Sequence, residues 1–328
     1  MAVITYLEAI RSAMREEMER DENVFVLGED VGPKGGVMNV TKGLYEQFGE
    51  ARVLDTPLAE SAIAGVAIGA AMNGMRPIAE MQYADFIFPA TNQIVSEAAL
   101  IRYRSNNDWH CPIVIRAPYG ATGGGALYHS QCPESVFFGV PGLKIVAPSD
   151  PYDAKGLLKA AVRDADPVLY FEHKKCYLSI TGEVPDDDYI VPIGKAKVKR
   201  EGTDITVISY GITVQYALRA AEELSEEEGI SVHVLDLRTL QPLDTDAVLE
   251  AAAKTGKVLI VHEANKTGGV GGEVAALIAE HLLFELDAPI MRLCGPDVPA
   301  VGMNPPMEKF YLLNTEKIKD EMRKLALF

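Results

Sequence analysis

The chain reads as an α/β protein of two doubly wound domains. Short apolar runs, too short for helices, alternate with stretches long enough for one, as in a parallel sheet with crossover helices. The alternation lapses once, over residues 181–204, and then restarts, and 328 residues is about two domains' worth of chain.

In the first domain, residues 1–180, Leu7, Ile10, Met14 and Met18 recur at helical spacing behind Thr5-x-x-Glu8, a capping box that predicts an amphipathic helix over 5–20. Strands are expected at 24–27, 78–81, 113–115, 144–147 and 168–171, and helices at 62–75, 90–104 and 152–164. Residues 181–204 carry Pro185, Pro192 and the run Asp186-Asp187-Asp188 and read as a surface linker. The second domain, 205–328, has strands expected at 205–210, 231–237, 258–263 and 289–293, with helices at 213–228, 244–254 and 270–285. The acidic run from Glu222 to Glu228 reads as a solvated helix face.

Composition narrows the function classes. Lys and Arg number 31 against 47 Asp and Glu, a net charge of −16, which argues against nucleic-acid or anionic-membrane surfaces and permits basic protein partners. The hydrophobic share of 48% and charged share of 24% are those of an ordinary globular protein. The four cysteines form no C-x-x-C pair, so neither a zinc ribbon nor a redox dithiol fits. The N-terminal stretch has charges where a signal peptide needs an apolar core, and no apolar run is long enough to span a membrane. A reducing, cytoplasmic setting is expected.

Two glycine-rich stretches invite a nucleotide reading. Gly123-Gly124-Gly125 lacks the Lys-Ser/Thr of a triphosphate loop, and Gly269-x-Gly271-x-x-Val274 has Val where a dinucleotide fingerprint needs a small residue. A tight turn before a close-packed helix is expected at 268–272, and a nicotinamide oxidoreductase rests on the alternation alone. None of the six histidines stands at metal-binding spacing. His233 and His262 fall inside apolar strand patterns and read as core or sheet-end residues. His129 lies in the glycine-rich segment 117–132, whose composition suits a loop over the sheet; an active-site role and simple exposure both remain open. Asp55-Thr56-Pro57-Leu58-Ala59-Glu60 delivers one carboxylate to the start of a helix of small and apolar residues. Glu60 either complements the helix N-terminus or is a carboxyl poised for proton transfer. Gly65 and Gly69, four residues apart, permit close approach of another helix.

These motifs have a family pattern. D-T-P-L-A-E at 55–60, R-P-I-A-E-M-Q-Y-A-D-F at 76–86, R-Y-R-S at 102–105 and G-A-L-Y-H-S-Q at 125–131 resemble the beta subunit of thiamine-diphosphate-dependent 2-oxo acid dehydrogenases. V-L-G-E-D-V-G at 26–32, P-Y-D-A-K-G-L-L at 151–158 and D-L-R-T-L-Q-P-L-D at 236–244 extend the resemblance over the whole chain. It implies a thiamine-pyrimidine-binding domain followed by a transketolase C-terminal-like domain.

The resemblance also implies roles. The glutamate matching Glu60 bonds the aminopyrimidine ring nitrogen and favours the imino form that removes the thiazolium proton. Phe86 matches an aromatic residue against the pyrimidine face, without the hydroxyl that a Tyr offers, and Leu58 and Gln82 match positions lining the same pocket. His129 matches a histidine associated with passage of the acyl group to a lipoyl arm. The family holds the cofactor's diphosphate through magnesium on a G-D-G…N motif, and no G-D-G occurs in this chain. An alpha subunit is therefore implied, in a heterotetramer of two alpha and two beta chains, together with a lipoyl-bearing dihydrolipoyl acyltransferase core whose basic docking domain suits an acidic partner. Some relatives hold a structural potassium ion on backbone carbonyls at positions matching Ile113, Ala161, Asp164 and Asp166. The segment before His129 resembles branched-chain 2-oxo acid dehydrogenases, with pyruvate or acetoin enzymes as the alternative and a non-catalytic assembly subunit as a remoter one.

Overall fold

In the computed structural model, which describes residues 1–328, the chain divides into two compact units. The first is Met1–Tyr119 with Val136–Ile193. Its strands are β1 (Ala2–Thr5), β2 (Val24–Gly28), β3 (Val53–Asp55), β4 (Arg76–Glu80), β5 (Val114–Tyr119), β6 (Lys144–Val146), β7 (Val168–His173) and β8 (Thr181–Val184). Its helices are α1 (Tyr6–Arg20), α2 (Leu44–Phe48), α3 (Glu60–Met72), α4 (Ile101–Arg104), the end of α5 (Glu134–Phe137), α6 (Pro151–Arg163) and α7 (Cys176–Ser179).

Thr5 opens α1 with the expected capping box: its hydroxyl accepts the Glu8 amide at 3.2 Å while the Glu8 carboxylate accepts the Thr5 amide at 2.8 Å. Six strands of this unit lie in one sheet, all parallel, in the order β3-β2-β4-β5-β7-β6. The order reverses at β2, because the chain first adds β3 on one side and then β4 on the other. In an open sheet the ligand crevice lies beyond the C-terminal strand ends at such a reversal.

A buried ion triad crosses the middle of this sheet. Arg116 on β5 donates through Nη1 to Glu80 Oε2 on β4 at 2.5 Å, and its Nε stands 2.7 Å from Glu172 Oε1 on β7 as an ion contact. Tyr177 Oη donates to the other Glu172 oxygen at 3.0 Å. Glu80 is the register partner of Arg116, and Glu172 lies two residues past its partner Tyr170, so the three side chains leave one face of the sheet. Burial works against the guanidinium charge, but the two carboxylates outweigh it and hold its pKa above the usual arginine value. Burial pushes the Glu172 carboxyl up, and Arg116 pulls against it.

Two expectations need correction here. Residues 181–204 are not a free linker: β8 pairs antiparallel with β1, and β9 (Lys197–Arg200) forms an antiparallel edge strand on β11 (Val232–Asp236) of the second unit's sheet. Prolines and the aspartate run hid two short edge pairings whose donors come from distant sequence. The continuous helix expected over 90–104 is a broken succession, with 3-10 turns at Phe88–Ala90 and Ala98–Leu100 around a π turn at Gln93–Glu97, ending in α4. The turn at Gly142 approaches the break so closely that a Cβ there would sit 2.1 Å from the Ala99 carbonyl oxygen.

The second unit is Gly120–Ser135 with Gly194–Phe328. Besides β9 and β11 it contains β10 (Ile205–Ser209), β12 (Thr239–Gln241), β13 (Val258–Asn265) and β14 (Met291–Gly295), with α8 (Ile212–Glu228), α9 (Thr245–Thr255), α10 (Val270–Leu282), α11 (Pro305–Tyr311) and α12 (Thr315–Ala326). Its sheet runs β14-β13-β10-β11-β9, parallel except for β9. Helix α12 was not foreseen from the pattern; it buries Ile318, Met322 and Leu325 at helical spacing and is capped by Asn314, which accepts the Lys317 amide at 2.9 Å. It also partners the acidic run: Lys319 contacts Glu223 at 2.9 Å and Glu227 at 2.8 Å, and Arg323 contacts Glu228 at 2.7 Å. That run is therefore partly a helix-to-helix contact and not a wholly solvated face. No helix is long and apolar enough to cross a membrane.

Arg116→Met would leave two buried carboxylates facing each other. It should cost about 3–5 kcal/mol, the usual result of removing one partner from a buried ion network, read as a lowered urea midpoint for the first unit. An unchanged midpoint would mean the triad contributes nothing to stability.

Candidate functional site

Three neighbouring strand ends of the first unit carry the candidate residues. Gly28 at the end of β2 is the register partner of both Asp55 on β3 and Glu80 on β4, and the Thr56 amide donates to the Gly28 carbonyl at 2.9 Å. From these ends emerge Glu29 and Asp30, then Leu58 leading to Glu60, then Gln82 to Phe86. The sheet reversal thus gathers Leu58, Glu60, Gln82 and Phe86 at one end of one sheet.

Glu60 is the first residue of α3 and is only 9% exposed. No side-chain bond caps α3 at Ala59, and the Glu60 carboxyl beside it keeps a narrow exposure to solvent. Its electrostatic neighbours are acidic: burial, then Asp30 and then Glu60 itself push the Glu29 carboxyl up. Gln82 Nε2 reaches Asp30 Oδ2 in a long contact of 3.4 Å. Phe86 lies in a 3-10 turn, its ring held edge-on against Tyr83 at 5.9 Å and 88°. Leu58 is 70% exposed. A nearly buried carboxyl and a partly exposed aromatic ring thus lie at the same end of one sheet.

His129 is exposed and belongs to the second unit. The Gly120 amide donates to the Gln131 carbonyl at 3.0 Å and closes residues 120–131 into a loop. A Cβ at Gly125 would stand 2.6 Å from the His129 carbonyl oxygen, so only glycine lets the loop fold back on the histidine.

The carbonyl set matching a potassium site falls on adjoining segments of the first unit. Residues 164–168 lie against 111–114 through Cys111 N to Ala165 O at 3.2 Å and Val168 N to Ile113 O at 2.9 Å. The Ala161 carbonyl accepts the Asp164 amide, and Arg76 Nη1 donates to the Asp164 carbonyl at 3.0 Å. Ile113, Ala161 and Asp164 therefore each keep one carbonyl lone pair, and Asp166 follows in the same turn. No group of three or more His, Cys, Asp or Glu side chains has metal-holding geometry.

The glycine turn before α10 is the tight, close-packed turn that its sequence suggests. Cβ atoms at Gly269 and Gly271 would lie 2.6 Å and 2.8 Å from the His262 ring, and the Gly271 amide donates to His262 Nε2 at 3.2 Å. That helix-start donor is already used. His262 Nδ1 in turn donates to the Ala264 carbonyl at 3.1 Å, and burial lowers its pKa to about 4. His233 is likewise buried within β11.

Each unit carries residues around its candidate group that sequence reasoning did not assign. Glu29 and Asp30 stood inside the V-L-G-E-D-V-G motif without a role, and only the pairing of β2 between β3 and β4 puts them beside Glu60. Glu134 and Glu263, which hold the His129 loop, had no sequence signal.

Fold and site together define a transketolase-like protein of the thiamine-diphosphate-dependent class. The transketolase pyrimidine-binding domain matches residues 2–178 and the transketolase C-terminal domain matches residues 194–318. The chain is 69% identical over 328 residues, all of both chains, to the 2-oxoisovalerate dehydrogenase subunit beta of Bacillus subtilis (strain 168). It is 44% identical, again over all of both chains, to the pyruvate dehydrogenase E1 component subunit beta of the same strain. Among solved structures, a split-gene transketolase described as an inactive beta4 tetramer superposes with a TM-score of 0.77 at 25% identity, covering 99% of this chain and 98% of the other. The chain belongs to the beta-subunit family of the 2-oxo acid dehydrogenases.

The unfolded chain binds a proton at His262 near pH 6.5, whereas the folded one does so only near pH 4. Stability should fall as pH drops through that window, by roughly 3 kcal/mol in full. Denaturant midpoints measured from pH 7 to 4 should show this slope, and His262→Gln should flatten it; an equal slope in the variant would assign the loss to other groups.

Proposed function

We propose that the chain is the beta subunit of a branched-chain 2-oxo acid dehydrogenase, a 3-methyl-2-oxobutanoate dehydrogenase. The enzyme decarboxylates a 2-oxo acid oxidatively and passes the acyl group to the lipoyl group of a dihydrolipoyl acyltransferase. Full-length identity of 69% to a beta subunit named for 2-oxoisovalerate supports this substrate over pyruvate, whose named relative stands at 44%. The observation that carries the catalytic reading is Glu60, nearly buried at the start of α3.

When bound, thiamine diphosphate supplies a carbon nucleophile and an electron sink for decarboxylation. Glu60 holds a proton at the ring nitrogen of the aminopyrimidine. Phe86 offers its ring to the pyrimidine face, and Leu58 and Gln82 line the same pocket. His129 exchanges a proton with the lipoyl thiol during acyl transfer. The diphosphate and its magnesium are assigned to an alpha subunit, in a heterotetramer of two alpha and two beta chains. The outward face of α3 suits such assembly: Ala62, Gly65, Val66, Gly69 and Met72 are exposed yet apolar, and nothing in this chain approaches Gly65 or Gly69. The net charge of −16 suits a basic docking domain on the acyltransferase core. All four cysteines are free, which suits a reducing compartment, and we place the enzyme in the cytoplasm.

Reconstituted with its alpha subunit, thiamine diphosphate and magnesium, the chain should turn over branched 2-oxo acids faster than pyruvate. Glu60→Gln should lower decarboxylation by about two to four orders of magnitude. Near-normal turnover in that variant would remove Glu60 from the mechanism, and faster turnover of pyruvate by the unaltered enzyme would reverse the substrate assignment.

We also assign a structural potassium ion to the carbonyls of Ile113, Ala161, Asp164 and Asp166. Melting temperature should then rise with potassium concentration at constant ionic strength set with choline. Identical melting in the two salts would remove the ion.

A further inference from the structure

The His129 loop is held by carboxylates from the body of the second unit. Glu263 Oε1 on β13 accepts the Ala121 amide at 2.8 Å and lies 3.8 Å from Cys132 Sγ. Glu308 Oε1 on α11 accepts the Gly124 amide at 2.5 Å. At the far end of the segment, Tyr210 Oη, just beyond β10, donates to Glu134 Oε1 at 2.8 Å.

Glu134 is the member that ordinary loop anchoring does not explain. It is wholly buried, and its second oxygen, Oε2, has no hydrogen-bond partner. Burying an unsatisfied carboxyl oxygen costs about 1–3 kcal/mol or more, and an apolar residue would fill the space without that cost. What an apolar residue does not offer is a directional bond to Tyr210. The Tyr210 ring is itself stacked on His262 at 5.9 Å and 22°, and His262 is fixed by Gly271 and Ala264. A chain of oriented contacts thus runs from the sheet, through His262 and Tyr210, to Glu134, five residues after His129.

We propose that Glu134 and Tyr210 are positioning residues for His129, forming a clamp that sets the histidine for acyl transfer to the lipoyl group. The role given to His129 rests on the function proposed above; the clamp itself does not. Burial, with Glu263 adding to it, pushes the Glu134 carboxyl up to about 7. The other groups facing this cluster are Tyr210 beyond β10, His262 on β13, Tyr311 on α11 and Cys132 within the segment. Below that pH Glu134 is neutral and rests beside Glu263 without repulsion. Above it the carboxylate accepts from Tyr210 more strongly, at the cost of repulsion with Glu263.

The test uses the alpha–beta holoenzyme with Glu134→Ala, Tyr210→Phe and Glu134→Gln. Decarboxylation is followed with an artificial oxidant, acyl transfer with a free lipoyl domain, and amide hydrogen exchange over residues 120–132. Glu134→Ala and Tyr210→Phe should lower kcat/KM for the lipoyl domain by about tenfold or more, leave oxidant-coupled decarboxylation within about twofold, and speed exchange in the segment. Glu134→Gln, whose amide oxygen can still accept from Tyr210, should retain transfer. Equal loss of both rates, unchanged exchange, or loss of transfer in Glu134→Gln as large as in Glu134→Ala would overturn the proposal. A wild-type holoenzyme that decarboxylates no 2-oxo acid would instead sink the functional reading, while the exchange data would still decide the clamp.

Discussion

The first unit is organised around one buried guanidinium. Arg116 has no solvent, so its charge is tolerable only where Glu80 and Glu172 meet it, and each carboxylate comes from a different neighbouring strand. Removing Arg116 leaves two buried carboxylates without a counter-charge, and removing either carboxylate strips the guanidinium of a partner. An apolar core in the same place would tolerate many arrangements, because Val and Ile pack against one another in more than one register. The ion triad tolerates one. A slip of β4 against β5 by a single residue would turn Glu80 to the opposite face, so the triad fixes register in the middle of the sheet whatever its net contribution to stability.

That constraint reaches the candidate site through the shortest possible path. Glu80 is the last residue of β4, and Gln82, Tyr83 and Phe86 follow it directly. Its partner on the other side, Gly28, is the last residue of β2 and is followed by Glu29 and Asp30. Asp55 completes the row and leads by a proline turn into Glu60. Chemistry-bearing residues from three sequence regions thus owe their common position to one in-register row of strand ends. The second unit solves a related problem differently. Its His129 segment is a loop with no sheet register to hold it, and it is tied down by directional bonds from Glu263, Glu308 and Tyr210.

What was legible in the sequence follows the range of the interactions involved. The capping box at Thr5 and Glu8 and the alternation of apolar runs depend on neighbours within a few residues, and α1 and the central strands fall where those signals put them. Strands β1, β8 and β9 were missed because they are short edge pairings with distant partners. The helix expected over 90–104 is broken where Gly142, some forty residues away, packs against Ala99, a contact that no local pattern encodes. Leu58, Glu60, Gln82 and Phe86 stood out through motifs, and the fold brings them to one end of one sheet. Glu29 became meaningful only through strand order, and Glu134 only through its burial against Tyr210. Sequence patterns report what a residue prefers locally, whereas these groups act through residues that the fold brings to them.

A carboxyl can be made to hold a proton by apolar burial or by like charge. Strand order brings like charge together here, with Glu29 and Asp30 delivered beside Glu60. The displaced group is Glu29, raised by burial, then by Asp30, then by Glu60, while Lys34 offsets part of the charge by pairing with Asp30 at 2.5 Å. The like-charge crowding at the strand ends costs folding stability, and the buried ion triad one step below them is the element that keeps the strands in place against it.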